Sequence, residues 1–233
     1  MTTLENYKVD NLPDYSKCAI VGKRGTGGTF LCKNLVQNQL RNKNISHTYI
    51  ICHAQILLHW KDKLNTQNIS YHTIINIDLL NEIKLKINSG EKIIIVLDDF
   101  IIKKNQYEDI FKLKAFVFTT YQIINFIPIN YTNIIFFMYE NNDTHVKKIY
   151  HTVTKYYIDV PKYDDFVKIF FTSTQNYSAL VVDGYSFRLY RTNANEINIS
   201  PKPTKDYIIE SVDNILKRFQ KNVKLVIGFE ILI

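Results

Sequence analysis

Four of the seven glycines in this 233-residue chain, Gly22, Gly25, Gly27 and Gly28, crowd into one short stretch. Ahead of them Cys18-Ala19-Ile20-Val21 is small and apolar and predicts a buried strand over about 17–21. Behind them Phe30, Leu31, Leu35, Val36 and Leu40 recur at helical spacing, which predicts a helix from 29 to about 41. Glycines concentrated in one strand-to-helix turn bring backbone N–H groups close to a ligand. A phosphate chain at a helix N-terminus is the usual one. Gly22 and Gly27 have the spacing of the phosphate-loop motif G-x-x-x-x-G-K-[ST], and Thr29 supplies its hydroxyl. Gly28 stands where that motif has lysine. On these residues alone, the alternative is a glycine-rich turn with no ligand.

The length suits one large domain, or a domain with an appendage, and a hydrophobic content of 46% is ample for a core. No apolar stretch follows Met1, so no secretory signal is expected. The longest apolar runs, such as 92–97, are too short to span a membrane. Cys18, Cys32 and Cys52 lack metal-ligand spacing and read as reduced core thiols of a cytosol-like compartment. The histidines form no ligand pattern. A net charge of +7 fits an acidic partner such as nucleic acid. Lysine far outnumbers arginine, however, and Asn, Ile and Tyr are abundant too. That profile points to an AT-rich coding sequence, so basicity by itself argues only weakly for DNA.

Residues 1–16 read as an extended lead-in. Strands are expected at 47–52, 93–97, 115–119 and 133–139, a strand or loop at 71–77, and helices at 54–64, 78–87 and 143–157, while 163–171 reads as a short amphipathic piece. Asp78 is the expected cap of the second of these helices. Asp183-Gly184 between 178–182 and 186–190 signals a hairpin. Beyond Pro201 and Pro203, a helix at 207–219 and a strand at 223–233 are expected. Alternating strands and helices imply an α/β fold with a mostly parallel, doubly wound sheet. Asp98-Asp99 closes the continuous apolar run 93–97, which suits a strand buried on both faces. A carboxylate at the C-terminal end of such a strand, adjacent to the phosphate-loop strand, can reach a magnesium shell. A second one can orient or deprotonate an attacking water. Alternatively, the two acids simply close a strand at the surface.

In order along the chain, these stretches resemble the poxvirus-type DNA-packaging ATPases of large DNA viruses, in the FtsK–HerA branch of P-loop NTPases. Residues 20–31 resemble the family's phosphate loop, including its Gly-Lys-Arg-Gly opening at 22–25. Residues 49–53 resemble the strand after it, and 94–99 its Walker B element with paired aspartates. Thr119-Thr120-Tyr121-Gln122, with Pro128, is similar to the glutamine-bearing sensor strand and its following loop. Residues 147–150, Phe166, Thr174, Asn176-Tyr177 and 180–183 are similar to the C-terminal half. The resemblance covers about 15–192.

It implies a RecA-like P-loop NTPase domain over 1–195 with a helix–strand extension over 196–233. It also implies ATP with Mg2+, a homo-oligomeric ring around duplex DNA, capsid portal or vertex partners, and a place in the virion or the virus factory of the host cytoplasm. Residue by residue, Thr29 and Asp98 would hold magnesium, Asp99 would activate water and Gln122 would sense the γ-phosphate. Gly22, Lys23, Arg24, Gly25, Thr26, Gly27, Gly28 and Thr29 would form the nucleotide cradle. Two departures remove positive charge: Gly28 replaces the loop lysine, and no arginine stands near Asn130-Tyr131. Lys23 holds the position of the extra lysine of deviant phosphate loops and is the candidate substitute. Two functions stay open: a DNA-translocating ATPase, or a non-enzymatic nucleotide-binding or structural subunit of the same fold.

Overall fold

All five residues of β1 (Lys17–Val21) are buried, and this strand is the axis on which the rest is hung. In the computed structural model, residues 4–61, 64, 68–100, 102, 104–122, 128–156, 160–186 and 188–192 are described. The chain divides into Met1–Ile197 and Asn198–Ile233. Every described residue lies in the first unit, so the helix expected at 207–219 and the strand expected at 223–233 fall outside the described residues. After β1 come α1 (Gly28–Asn42), β2 (His47–Cys52), α2 (Ala54–Lys61), β3 (Ile69–His72), α3 (Ile77–Asn88) and β4 (Ile93–Asp98). Then follow α4 (Lys104–Phe111), β5 (Phe116–Tyr121), β6 (Ile134–Phe137), α5 (Asp143–Tyr156), α6 (Tyr163–Ser173), β7 (Ala179–Asp183) and β8 (Arg188–Thr192).

The eight strands among the described residues form one sheet in the order β3-β2-β4-β5-β1-β6-β7-β8. The pairings from β3 to β6 are parallel, and β7 and β8 are added antiparallel at the far edge. This is the expected α/β, mostly parallel arrangement. Each inner strand is buried on both faces, which is why β4 reads as an unbroken apolar run over 93–97 and why even Thr119 and Thr120 of β5 are buried. Alternation then assigns the faces. Tyr49, Ile51, Ile93, Ile95 and Val117 pack with Leu79, Ile83 and Ile110 of α3 and α4. On the same face, Ala19, Val21, Ile135 and Phe137 pack with Val146, Ile149, Phe166 and Phe170 of α5 and α6. Side chains of opposite parity, among them Ile20 and Asp98, turn toward α1 and α2.

Several expectations are corrected. Strand β4 does not lie adjacent to β1: β5 sits between them, paired with both. The α3 cap is Asn76, whose Oδ1 accepts the Leu79 N–H at 2.9 Å; Asp78 is already inside the first turn. Residues 1–16 are not simply extended, since Val9–Asn11 forms a 3-10 turn that buries Val9 and Leu12. The hairpin loop is longer than Asp183-Gly184. Asp183 Oδ1 accepts the Tyr185 N–H and Oδ2 accepts the Ser186 hydroxyl, each at 2.9 Å, and pairing resumes at Asp183↔Arg188. All three cysteines are free and buried. Burial raises their thiol pKa values, that of Cys52 to about 11, so they are protonated core groups.

Candidate functional site

The glycine loop leaves β1 at the C-terminal edge of the parallel strands. Gly22 N–H donates to Tyr121 O at 2.9 Å, which anchors the start of the loop to the end of β5. Lys23–Thr26 is a tight turn: the Thr26 N–H and hydroxyl both return to Lys23 O, at 3.2 and 2.7 Å. Gly25 and Gly27 have φ of +83° and +95°. L-residues rarely adopt that region, and glycine enters it without a steric penalty. Gly27 is the N-cap of α1, so the amides of the loop and first helical turn converge where the helix dipole favours an anion. Gly28 is different. It is the first residue of α1, and a Cβ built there meets only Ile20 Cγ2, at an ordinary 3.7 Å. Neither backbone nor space demands glycine at this position.

At the second residue of α1, the Thr29 hydroxyl donates to Asp98 Oδ1 at 3.1 Å. The intervening β5 supplies the third member, Thr120, whose hydroxyl donates to the same oxygen at 2.6 Å. Thr120 Oγ1 also accepts the Asp99 N–H at 2.7 Å, so one hydroxyl joins both aspartates. On the other side of the carboxylate, the indole N–H of Trp60 donates to Asp98 Oδ2 at 2.8 Å. Asp98 and Trp60 are both fully buried. Lys33, on α1, lies over the Trp60 ring at 5.3 Å from its centroid and donates to His59 O. Asp98 is thus a buried carboxylate held by three neutral donors on α1, α2 and β5.

Asp99 turns away from this core. Its φ of +50° is one that Asp tolerates better than most residues. Its Oδ2 accepts from Gln122 Nε2 at 2.5 Å, and Arg24 lies 3.9 Å away. The Arg24 side chain is 86% exposed, so that ion pair contributes little. Lys23 points elsewhere, to Asn141 Oδ1 and to Glu140 Oε1 at 3.7 Å in the loop after β6. Glu140 also takes His145 Nδ1 at 3.1 Å and the Asn142 N–H at 2.9 Å. Burial pushes its carboxyl pKa up, but these donors outweigh that and hold it below the ordinary value.

The loop, Thr29, Asp98, Asp99 and Gln122 therefore meet at one edge. The Asn130-Tyr131 position does not. It lies in a 3-10 turn just before β6, near the N-terminal end of β1, where Asn133 N–H donates to Lys17 O. An arginine there would stand at the opposite edge of the sheet from Gly28 in the same chain, so its absence takes no charge from this chain's own loop. Sequence reading missed Trp60 and the bridging role of Thr120. A lone tryptophan eight residues after a buried strand was the available signal, but its partner lies on another strand.

For magnesium, the donor set fits. Magnesium takes hard oxygen ligands and keeps several waters, so it needs few protein groups beside substrate phosphates. Thr29 gives its proton to Asp98 and keeps its oxygen lone pairs for a cation. Replacing Trp60 with Phe removes one donor to Asp98. The expected cost is about 1–2 kcal/mol of stability by chemical denaturation, with weaker magnesium dependence of any nucleotide binding.

No protein-family model matches the chain. No curated protein matches it. Solved structures do. The genome packaging NTPase B204 from Sulfolobus turreted icosahedral virus 2, in complex with ATP-gammaS, is similar with a TM-score of 0.56 at 14% identity. That match covers 78% of this chain and 98% of that one. The AMPPCP complex of the same protein gives 0.56 at 13% identity, covering 78% and 99%. B204 of Sulfolobus turreted icosahedral virus, a DNA-packaging ATPase, gives 0.55 at 16% identity, covering 78% and 98%. At these identities the likeness is one of architecture: this chain has the P-loop NTPase fold of a viral genome-packaging NTPase.

Proposed function

We propose that the chain is the ATP-driven subunit of a viral DNA-packaging motor, binding magnesium-ATP at residues 22–29 and coupling it to movement of duplex DNA into a capsid. The observation that carries this reading is the meeting of Thr29, Thr120 and Asp98 beside the glycine loop, in a packaging-NTPase fold. Backbone N–H groups of 25–28 cradle the phosphates, and Thr29 with Asp98 holds magnesium. When bound, that ion offsets phosphate charge as a Lewis acid. Asp99 orients the attacking water and takes its proton, and Gln122 keeps the Asp99 carboxylate in place beside the γ-phosphate. A homo-oligomeric ring, capsid portal or vertex partners, and residence in the virion or virus factory belong to the same reading.

The test is steady-state ATP hydrolysis with and without duplex DNA. Slow turnover that DNA stimulates is the expected result. Nucleotide binding without turnover in either condition favours the second reading, a non-enzymatic subunit of the same fold, which Gly28 supports. DNA binding supplies a separate prediction. Duplex affinity should fall about a hundredfold between roughly 50 and 200 mM salt, with little sequence preference, as for contacts made to phosphates. Salt-insensitive binding, measured by fluorescence anisotropy, would count against a translocating ring.

A further inference from the structure

We propose that Tyr177 is the base-stacking residue of the site, so that the ligand of the glycine loop is a nucleoside triphosphate rather than a bare polyphosphate. This rests on the nucleotide reading above and adds to it the group that recognises the base. A Cβ built on Gly27 would meet Tyr177 Cδ1 at 2.8 Å, so the tyrosine ring lies directly against the loop at the N-cap of α1. The tyrosine is nevertheless 50% exposed. An aromatic ring with one part on the loop and the rest in solvent has a face to offer.

The direction is set by the sheet. Asp98, Thr120, Asp99 and Gln122, the groups suited to the terminal phosphates and magnesium, lie on the β4–β5 side of β1. A triphosphate with its terminal end there leaves the loop on the opposite side, toward β6 and β7. Tyr177 comes from that side. It precedes β7, which runs antiparallel to β6 with Leu180 beside Phe137, placing the α6–β7 loop at the same C-terminal edge. Tyr139, two residues after β6 and also partly exposed, pairs with Phe171 at 6.2 Å, so this side is aromatic.

The backbone holds the ring there at a cost. Asn176 and Tyr177 have φ of +55° and +61°, two successive residues in the left-handed region. A tyrosine in that conformation is uncommon, and such strain persists only where its surroundings impose it. Here the loop is pinned on both sides. Thr174 is tied to Phe170 O through its N–H at 3.0 Å and its hydroxyl at 2.8 Å, and Ser178 N–H donates to Gln175 O at 3.0 Å.

The experiment is equilibrium binding of Mg-ATP and of inorganic tripolyphosphate to the full chain, as wild type, Tyr177→Phe, Tyr177→Leu and Tyr177→Ala. The wild type should bind ATP more tightly than tripolyphosphate. Tyr177→Phe should keep that preference. Tyr177→Leu and Tyr177→Ala should each weaken ATP about tenfold, the order expected for losing one stacked base, and leave tripolyphosphate unchanged. Equal weakening of both ligands, ATP affinity retained in Tyr177→Leu, or a wild type without preference would overturn the proposal. If ATP and tripolyphosphate both fail to bind the wild type, the nucleotide-site reading itself is wrong and the base-stacking role falls with it.

Discussion

Gly28→Lys should raise the rate of ATP hydrolysis by about 10²–10³-fold, the worth of one preorganised contact to developing transition-state charge, while changing affinity far less. The amide cradle at the start of α1 survives without a lysine, so ground-state binding depends mostly on groups already present. What is missing acts on charge that grows along the reaction, and such interactions appear in turnover rather than in binding. The backbone permits the change: Gly28 is the first helical residue, and its added Cβ meets only Ile20 Cγ2 at 3.7 Å. Lys23→Ala is the companion measurement. Lys23 is engaged with Asn141 and Glu140. If removing it abolishes the parent's residual turnover, Lys23 or a neighbour's copy supplies the substitute charge, and Gly28→Lys in the same chain should restore activity. If Gly28→Lys leaves binding and turnover unchanged and Lys23→Ala is silent, the loop is not a working nucleotide site, and the chain is a structural relative.

The second large effect is on stability. Asp98→Ala should cost about 2–4 kcal/mol, because it leaves the Trp60 indole N–H and the Thr29 and Thr120 hydroxyls without their acceptor in a buried site. For a chain of this size that corresponds to a fall in Tm of about 5–15 °C. Asp99→Asn is the contrast. Asn also tolerates a φ of +50°, and the Asp99 side chain is only partly buried, so Tm should move little. The proposed role of Asp99 predicts that turnover is nonetheless lost. Asp98 then couples folding to the site, whereas Asp99 serves the chemistry. Equal thermal shifts in the two variants would contradict that division.

Local pattern carried much of the architecture. The apolar run before Gly22 and the helical spacing after Phe30 specify β1, the loop and α1, because each is encoded by neighbours in the chain. The burial of β4 and the position of Asp98 were legible for the same reason. Strand order was not. Nothing in a run such as Phe-Val-Phe-Thr-Thr-Tyr states that β5 inserts between β1 and β4, since that choice is made by packing across the whole sheet. The hydrogen bonds of Trp60 and Thr120 to Asp98, and the packing of Tyr177 on Gly27, were hidden because the partners lie 38, 22 and 150 positions away. The short helix α4, Lys-Asn-Gln-Tyr-Glu-Asp-Ile-Phe, was missed too: it has no apolar residue before Tyr107, so no helical period shows in it. The cap of α3 was misplaced by two residues because Asn76 and Asp78 are both capable caps, and only backbone geometry chooses between them.

In the proposed function, magnesium and nucleotide meet at Thr29 and Asp98. The chain's single tryptophan hydrogen-bonds that same Asp98 carboxylate. The most direct measurement is therefore Trp60 emission during titration with ATP, in magnesium and in EDTA, with calorimetry on the same samples. The predicted result is a saturable emission change in magnesium that is strongly weakened by EDTA and lost in Thr29→Ala, with a matching heat of binding. No saturable heat and no emission change at millimolar Mg-ATP would contradict the claim.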